Sequence, residues 1–394
     1  MPRVLFLNPF HGGSHRAFAE GWAKHSRHEF TLQTLPARFW KWRMRGAALH
    51  FARKVADPAA YDALVVTDLM SLSDLRALWG DACPPALAYF HENQLSYPLP
   101  PGEAIDYQFG FTDITTCLAA RRVLFNSRFQ HDAFFARLPG FLGMMPEFQP
   151  RWVIEAIRGR ASVLHPGVEL GPAPDDPDAG AENALHGGAP VPPAPRGGDQ
   201  NAHHERRPEG APLVIWNHRW EFDKNPAAFF AALDTALACG REFRLALLGE
   251  NFQVVPKEFE AARDRYGARV VQYGYVEDRA VYLGWLRRGD IVVSTADQEN
   301  FGMAVVEAIA SGCLPLLPRR LAYPEILPEE FHEPCLYSDA ADLGARLENL
   351  LAGGARGPAA ETLRGALATA MRRHDWARAA VLFDREIDLL LTSP

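Results

Sequence analysis

The sequence has little cysteine and no long hydrophobic run, and each shortage excludes a class of protein. Its 394 residues include five scattered cysteines without a C-x2-C pair, so neither a disulfide framework nor a zinc site is expected. No apolar run approaches the length that spans a bilayer. The first strand-like segment, Val4 to Asn8, is too short for a signal peptide. We therefore expect a cytoplasmic protein without a membrane partner.

The chain also lacks an excess of positive charge. Its formal net charge of −7 excludes a general nucleic-acid coat protein but is compatible with one basic patch on an acidic body. No Asp-x-Asp metal signature stands at a predicted strand end, so we expect no metal ligand and no cofactor.

The length suits two α/β domains. Residues 169–211 are rich in Pro, Gly and Ala and have almost no apolar periodicity, which predicts a flexible insertion. It separates a first domain, 1–168, from a second, 212–373, and a helical stretch at 374–394 ends the chain.

The segment Asp297 to Ala308 follows the apolar, β-branched run Ile291 to Thr295 and predicts a strand, a loop and a helix. Glu299 then lies at the carboxyl end of the strand and Glu307 on the helix. Either glutamate is compatible with a solvated helix face, but Glu307 lies in an apolar stretch where an unpaired charge is costly. A ribose would satisfy it. The residues expected at the start of the helix, where free N–H groups suit a diphosphate, are Asn300, Phe301 and Gly302.

Polar side chains follow other predicted strands. The loop after the first strand contains adjacent glycines that allow a ligand close approach, although a tight turn explains them equally well. Its candidate ligand-binding residues are His11, Gly12, Gly13 and His15. Catalytic groups belong at the carboxyl ends of parallel strands, which favours His91 and Glu92. We expect His91 to be catalytic, and Glu92, Asn93 and Gln94 to bind a ligand.

The second predicted domain carries two cations after its first strand. Arg219 and Lys224 are placed to clamp a pyrophosphate, unless they form salt bridges with Glu221 or Asp223. Further along, Gly274, Tyr275 and Val276 end a strand and are predicted to line a nucleobase slot.

One segment combines cations and aromatic rings. It suits RNA, because cations neutralise phosphates and rings stack on unpaired bases. The alternative is a surface helix whose tryptophans face the core. The residues concerned are Arg38, Trp40, Lys41, Trp42, Arg43 and Arg45.

The two glutamates, seven positions apart and with Asn-Phe-Gly after the first, resemble the donor-sugar signature of retaining GT-B glycosyltransferases. Longer runs across nearly the whole chain resemble the tRNA-queuosine α-mannosyltransferase family. These runs are Leu35–Ala37, Trp40–Arg43, Tyr89–Pro98, Asp106–Phe111, Phe125–Ser127, Trp216–Lys224 and Ala322–Ile326.

The resemblance implies an α/β chain with the GT-B fold, two Rossmann-like domains that face each other across a cleft. It implies that the last helix crosses back to the first domain. It also implies retaining transfer of mannose from GDP-mannose to the cyclopentenediol of queuosine, at the wobble position of tRNA(Asp). Carried over by position, it puts Arg219 and Lys224 on the donor phosphates, Glu299 on the mannose, Glu307 on the ribose and His91 near the reactive side of the sugar.

Two other functions stay open at this point. A nucleotide-sugar-dependent transferase with a lipid or polysaccharide acceptor is disfavoured by the basic and aromatic segment. A non-catalytic tRNA-binding protein on a transferase scaffold is disfavoured because Arg219, Lys224, Glu299 and Glu307 are all present.

Overall fold

The computed structural model describes residues 1–98, 102, 105–171, 210–249 and 255–392. Most of the predicted insertion, residues 172–209, lies outside this range. The described residues form two six-stranded sheets, one in each half of the chain, and every strand pairing among them is parallel. Helices alternate with the strands, as the predicted α/β class requires.

The first sheet has the strand order β2-β1-β3-β4-β5-β6. Its central strands are buried at every position, as expected where helices cover both faces of a parallel sheet. The strands are β1 (Arg3–His11), β2 (Glu29–Pro36), β3 (Ala63–Thr67), β4 (Ala86–Phe90), β5 (Arg122–Phe125) and β6 (Ala161–Val163).

Helices cover the two faces of this sheet. The ones described are α1 (Gly13–His25), α2 (Trp40–Lys54), α3 (Leu72–Trp79), α4 (Tyr107–Ala119), α5 (Arg128–Gly143) and α6 (Val153–Arg158). Side chains after the strands start several of them: Ser71 Oγ accepts from Asp74 N (3.2 Å), and Ser127 Oγ accepts from Gln130 N (3.0 Å). Ser127, which follows β5, is therefore the N-cap of α5.

The second sheet has the order β12-β11-β10-β7-β8-β9. Its strands are β7 (Leu213–Trp216), β8 (Arg244–Leu247), β9 (Val270–Tyr273), β10 (Ile291–Val293), β11 (Leu314–Pro318) and β12 (Leu336–Tyr337). Its helices are α7 (Pro226–Ala238), α8 (Lys257–Tyr266), α9 (Arg279–Arg288), α10 (Met303–Ala310), α11 (Tyr323–Ile326), α12 (His332–Cys335), α13 (Ala340–Asn349) and α14 (Pro358–Met371).

Each strand order reverses once along its sheet, between β1 and β3 in the first and between β10 and β7 in the second. In open parallel sheets, ligands bind beyond the carboxyl ends of the strands at such a point. The loops after β1 and β3, and those after β7 and β10, are therefore where a site is expected. The loops carry Asp68 in the first domain and Arg219 and Glu299 in the second, and His15 lies in the first turn of α1, just after the loop that follows β1.

The last helix, α15 (Trp376–Thr392), packs against the first domain although it follows the second in sequence. Its buried Asp384 accepts hydrogen bonds from Trp22 Nε1 (3.3 Å), Ser26 Oγ (2.6 Å) and the backbone of Arg27 (2.8 Å). Trp376 lies so close to Gly21 that a Cβ there would stand 2.0 Å from its ring. None of the described helices is long and apolar enough to cross a membrane.

Candidate active site

Lys224 and Glu299 meet at the carboxyl ends of β7 and β10. The ammonium of Lys224 is buried, donates to the carbonyl of Gln298, and lies 3.4 Å from Glu299 Oε2 and 3.3 Å from Asp223 Oδ2. Burial opposes ionisation of Glu299, but nearby positive charge, that of Lys224 foremost, outweighs it and lowers the pKa of Glu299. Glu299 is thus a carboxylate at neutral pH.

Arg219 lies beside this pair with its side chain 44% exposed. Its guanidinium stands 3.1 Å from Glu221 Oε2 and 4.0 Å from Asp223 Oδ2. Desolvation opposes its charge, but Tyr97, Glu221 and Asp223 outweigh desolvation and raise the pKa of Arg219. The salt bridges named as an alternative therefore exist, and they leave the guanidinium charged and partly open to solvent.

His218, which the sequence analysis missed, lies beside Glu299 and Lys224. Burial lowers the pKa of His218 to about 4, although Glu299 opposes the shift. Its Nε2 has no hydrogen-bond partner among the described residues. A neutral buried imidazole with an unused nitrogen can accept one hydrogen bond from a ligand or donate one to it.

Glu307 does not need a ligand to neutralise its charge, so that expectation is wrong. Arg279 Nη2 lies 2.5 Å from Glu307 Oε1, and Tyr282 donates a hydrogen bond to Oε2 (3.1 Å). Tyr282 also accepts from Asn217 (3.2 Å), which follows β7. The ribose role of Glu307 stays a prediction, and it now requires the ribose to share or replace these partners.

Helix α10 begins after Gly302, whose φ of 95° lies in the left-handed region that favours glycine. The first turn offers unpaired N–H groups there. Asn300 accepts a hydrogen bond from Gln298 (2.9 Å). Phe301 is 2% exposed and packs on the rings of His165 and His374, so its side chain is a core group. Its backbone N–H donates to Glu299 Oε1 (3.4 Å).

The predicted nucleobase slot follows β9, which is two strands away from β7. Gly274 has a φ of 102°, and a Cβ there would meet nothing within 4 Å. Tyr275 is 58% exposed, whereas Val276 packs against the core of the second domain. The open space and the exposed ring are compatible with a flat ligand, and the assignment stays a prediction.

The loop after β1 gives its two glycines different roles. A Cβ at Gly12 would stand 2.4 Å from Ala37 Cβ, so the packing of β1 against β2 already requires that glycine. Gly13 has a φ of 50° and open space around it. His11 contacts Asn8 and Glu20. His15 is buried, and burial, with repulsion from Arg219 and His11, lowers its pKa to about 3.

His91 lies against His15 with their ring centroids 4.1 Å apart. Burial and then His15 lower the pKa of His91 well below its usual value, and its Nε2 has no hydrogen-bond partner among the described residues. The backbone of His91 donates to Asp68 Oδ1 (3.1 Å) and accepts from Asn126 (2.9 Å). The ring is therefore neutral and held in place by strands on either side.

The loop after β4 rests on buried carboxyls that the sequence analysis did not single out. Gln94 N donates to Asp113 Oδ2 (2.6 Å), and Asn93 Oδ1 accepts from Ser96 N (2.9 Å). Burial raises the pKa of Asp113 well above its usual value, with a further rise from Glu92. Asp68 is shifted in the same direction by burial and by Glu92. Both acids accept hydrogen bonds from the backbone of the loop that carries His91.

The two halves of the candidate site touch each other. Tyr97 of the first domain donates to Asp223 Oδ2 (3.3 Å) and accepts from Arg219 Nη2 (3.5 Å). Burial raises the pKa of Glu92, while the charge of Arg219 opposes that rise. His15, His91 and Glu92 thus lie on the opposite side of the domain interface from Arg219.

Most of the basic and aromatic segment lies on α2, where the helical repeat places its two tryptophans on different sides of the helix. Trp40 packs on Phe109 (5.2 Å) beside buried Met44, whereas Trp42 is 76% exposed. The core-facing alternative therefore holds for Trp40 but not for Trp42. The cations of the segment have local contacts: Arg38 with Phe39, Lys41 with Trp40, Arg43 with the carbonyl of Pro36, and Arg45 with Gln108 and Phe109.

Several residues of the site were missed, and some had a visible signal. Asp223 and Tyr97 lie inside the runs that carry the family resemblance, so their presence at the interface could have been suspected. Arg279 and Tyr282 lie 28 and 25 positions before Glu307, and no local pattern indicates that they pair with it.

Comparisons with known proteins agree with this geometry. Residues 3–168 match the model described as tRNA-queuosine alpha-mannosyltransferase N-terminal, and residues 212–353 match the model for glycosyl transferases group 1. The tRNA-queuosine alpha-mannosyltransferase of Drosophila melanogaster is 36% identical over 351 residues, 88% of this chain and 86% of its own length. The GDP-mannose-dependent alpha-(1-6)-phosphatidylinositol dimannoside mannosyltransferase of Mycobacterium tuberculosis is 26% identical over 115 residues, 29% of each chain.

Solved structures support the fold. Sucrose-phosphate synthase from Thermosynechococcus elongatus superposes with a TM-score of 0.70 at 17% identity, and the match covers 100% of each chain. The Anabaena protein HepE, solved with UDP and glucose, gives 0.63 at 15% identity, again over 100% of each chain. At such identities these neighbours show the fold alone, which is GT-B. The chain is therefore a GT-B glycosyltransferase, and it belongs to the tRNA-queuosine alpha-mannosyltransferase family.

Proposed function

We propose that this chain moves mannose from GDP-mannose to the cyclopentenediol of queuosine, at the wobble position of tRNA(Asp), with retention of anomeric configuration. The observation that carries the proposal is the Drosophila relative, whose name gives the sugar and the acceptor and whose similarity spans 88% of this chain. The name of the mycobacterial relative supports GDP-mannose as donor. We further propose a cytoplasmic location, where tRNA is available.

In this proposal the donor binds beyond β7 and β10. Arg219 and the first turn of α10 neutralise the diphosphate, and Lys224 fixes Glu299 where it can accept hydrogen bonds from the mannose hydroxyls. The ribose contacts Glu307. Because protein groups take the charge of the leaving diphosphate, no metal is required, and turnover should survive a chelator.

The proposed reaction retains the anomeric configuration because the acceptor enters on the side of the leaving group. An acceptor hydroxyl attacks the anomeric carbon from the face that the diphosphate leaves. The bond from the anomeric carbon to the β-phosphate oxygen breaks, a bond to the acceptor oxygen forms, and the hydroxyl proton passes to the departing diphosphate. The buried, neutral His91 is proposed to contact the sugar; its pKa, well below the usual value, makes it a hydrogen-bonding group at neutral pH. No general base is assigned.

The acceptor is proposed to bind on the first domain. The queuosine ring would enter beside His11, Gly13 and His15 and the loop of Glu92 to Gln94, which face Arg219. The polynucleotide would extend toward α2, where Trp42 is exposed beside Arg43 and Arg45.

The test is mannosyl transfer in a purified system. We expect the chain, with GDP-mannose and tRNA from cells that make queuosine, to yield a queuosine nucleoside heavier by one hexose in mass spectrometry. Matched tRNA with guanosine at the wobble position should stay unmodified, and UDP-glucose should not replace the donor. GDP-mannose hydrolysis without transfer to this tRNA would favour a lipid or polysaccharide acceptor, and neither transfer nor hydrolysis would favour a non-catalytic scaffold.

A further inference from the structure

Exposed aromatic side chains form a band on the first domain that extends beyond α2. The band consists of Phe39, Trp42, Tyr107, Phe148 and Trp152, which are 68%, 76%, 51%, 87% and 66% exposed. Large rings at such exposure are costly in water and mark interaction surfaces when they cluster. The proposed transfer reaction uses none of the four members outside α2, which are Phe39, Tyr107, Phe148 and Trp152.

Contacts and one short chain segment connect the members of the band across three helices. Arg45 on α2 donates to Gln108 on α4 (3.0 Å), next to Tyr107. The ring centroid of Tyr107 in turn lies 6.2 Å from that of Phe141, near the end of α5. Phe141 accepts from the backbone of Met144, and the loop that follows leads to Phe148 and Trp152. The start of α4 therefore lies between the two outer parts of the band.

Two members of the band have an unusual backbone. Phe39 has a φ of 56° and Phe148 a φ of 51°, the left-handed region that L side chains rarely adopt. Four described non-glycine residues have a positive φ, and two of the four are these exposed phenylalanines. Strain that holds an apolar ring out in solvent is not explained by packing, and such strain accumulates at functional sites.

Charge indicates the occupant. Residues 30–56 contain no aspartate or glutamate but six cations, in a chain whose net charge is −7; they are Arg38, Lys41, Arg43, Arg45, Arg53 and Lys54. Polar residues follow two of the rings in sequence, Gln108 after Tyr107 and Gln149 after Phe148. Single faces beside cations suit unpaired nucleobases on a phosphate backbone.

We propose that this band is a base-stacking platform for the unpaired nucleotides of an RNA loop, with Phe148 and Trp152 as a second stacking point beyond α2. The inference rests on the proposed function, because the acceptor nucleoside there lies in a tRNA anticodon loop. The band holds the nucleotides that flank the modified base while that base enters the cleft.

The experiment measures binding of the anticodon stem-loop of a queuosine-containing tRNA to the full chain. Phe148→Ala and Trp152→Ala should each weaken binding about 5- to 150-fold, the range for losing one base stack. Phe148→Tyr should keep wild-type affinity because it keeps the ring. Leu382→Ala, at a 52% exposed apolar residue of α15, is the matched control and should change nothing. GDP affinity and melting temperature should be unchanged in all four variants.

The outcomes separate this inference from the proposed function. Wild-type stem-loop affinity in both alanine variants overturns the band even if queuosine is mannosylated. Ring-dependent stem-loop binding without mannosyl transfer supports the band and overturns the function. If the alanine variants lose binding to anionic phospholipid vesicles while their RNA binding is unchanged, the rings belong to a membrane surface and the inference is overturned. A wild-type chain that does not bind the stem-loop also overturns it.

Discussion

The charged residues of the candidate site are paired before any substrate arrives. Lys224 has Asp223, Glu299 and the carbonyl of Gln298 as partners and is buried, so its removal leaves carboxylates unpaired in the interior. Arg219 is 44% exposed. Loss of Arg219 therefore tests the chemistry of the site with the smaller effect on folding.

We predict that Arg219→Ala lowers turnover by about 10²- to 10³-fold, as loss of a leaving-group stabiliser does. Its melting temperature should stay close to that of the wild type. Arg319→Ala is the matched control, because Arg319 pairs with Glu333 on the surface of the same domain (3.0 Å). Steady-state rates with GDP-mannose decide it, and near-normal turnover in Arg219→Ala would move the diphosphate elsewhere.

The two glutamates should separate in their effects. Glu299→Gln removes a carboxylate whose pKa Lys224 helps to lower, and we expect it to impair turnover more than GDP binding. Glu307→Gln should mainly weaken GDP binding. Glu260→Gln, at an exposed position of α8, controls for the charge change. Isothermal titration with GDP beside rate measurements makes the comparison, and normal GDP binding by Glu307→Gln would remove it from the ribose.

Residue types at strand ends were predictable from the sequence, but their partners were not. Glu299 and Arg219 follow apolar runs, and a parallel sheet places such positions at one edge. The pairing of Glu307 with Arg279, the burial of Phe301 and the contact of Gly12 with Ala37 depend on how distant segments pack. A sequence pattern carries no information about that packing.

At the scale of the element, α2 shows what periodicity could have added. Its buried residues Met44, Ala47, Ala48 and Phe51 follow a helical repeat that includes Trp40 and excludes Trp42. The composition of the segment left open a platform of two indoles or two core-facing indoles. The helix instead gives one core-facing and one solvent-facing indole, so Trp42 is the ring available for stacking.

We predict that replacing Arg38, Lys41, Arg43 and Arg45 together by Gln flattens the salt dependence of tRNA binding. The log–log slope should change by roughly 0.7–0.9 for each phosphate that the variant no longer neutralises. GDP binding should remain, because the proposed donor site lies in the other domain. Arg269→Gln with Arg319→Gln, on the surface of the second domain, is the control. An unchanged slope in the quadruple variant would end the RNA role of α2 and favour a lipid or polysaccharide acceptor.

The same helix allows a test of its two indoles. Trp40→Ala should lower the melting temperature, because Trp40 packs on Phe109 and Met44. Trp42→Ala should weaken tRNA binding without changing the melting temperature or the salt slope. Thermal melts beside tRNA affinities across a salt series separate these results, and a Trp42→Ala variant that melts early would show that Trp42 has a structural role.

At the scale of the whole molecule, contacts between distant segments hold the two domains in their arrangement. Glu325, at the end of the second domain's α11, accepts from the backbone of Arg128 (2.7 Å) and Phe129 (2.6 Å) at the start of α5, and contacts His165 (3.2 Å). An acidic side chain there also complements the helix dipole. The sequence predicted the two α/β domains, but a contact across 197 positions has no local signature.

His374 lies at this junction, where the chain returns from the second domain to the first. Its carbonyl accepts from Val168 N (2.8 Å), and its ring packs on Phe301 and His165. Burial, with repulsion from Arg373 and His165, lowers the pKa of His374 to about 3. The folded state therefore keeps the ring neutral, while the unfolded chain protonates it near its usual value of about 6.5.

We predict that this difference destabilises the protein as pH falls below about 6.5. Between the two pKa values the unfolded chain binds one more proton at His374, so the folded state loses up to about 1.4 kcal/mol per pH unit from this group. His374→Gln cannot take up that proton, and its melting temperature should fall less than that of the wild type between pH 7 and pH 5. His332→Gln, at a half-buried histidine of α12, is the control and should follow the wild type. Parallel loss of melting temperature in His374→Gln and the wild type would contradict the assignment, because the proton that unfolds the domain junction would then bind elsewhere.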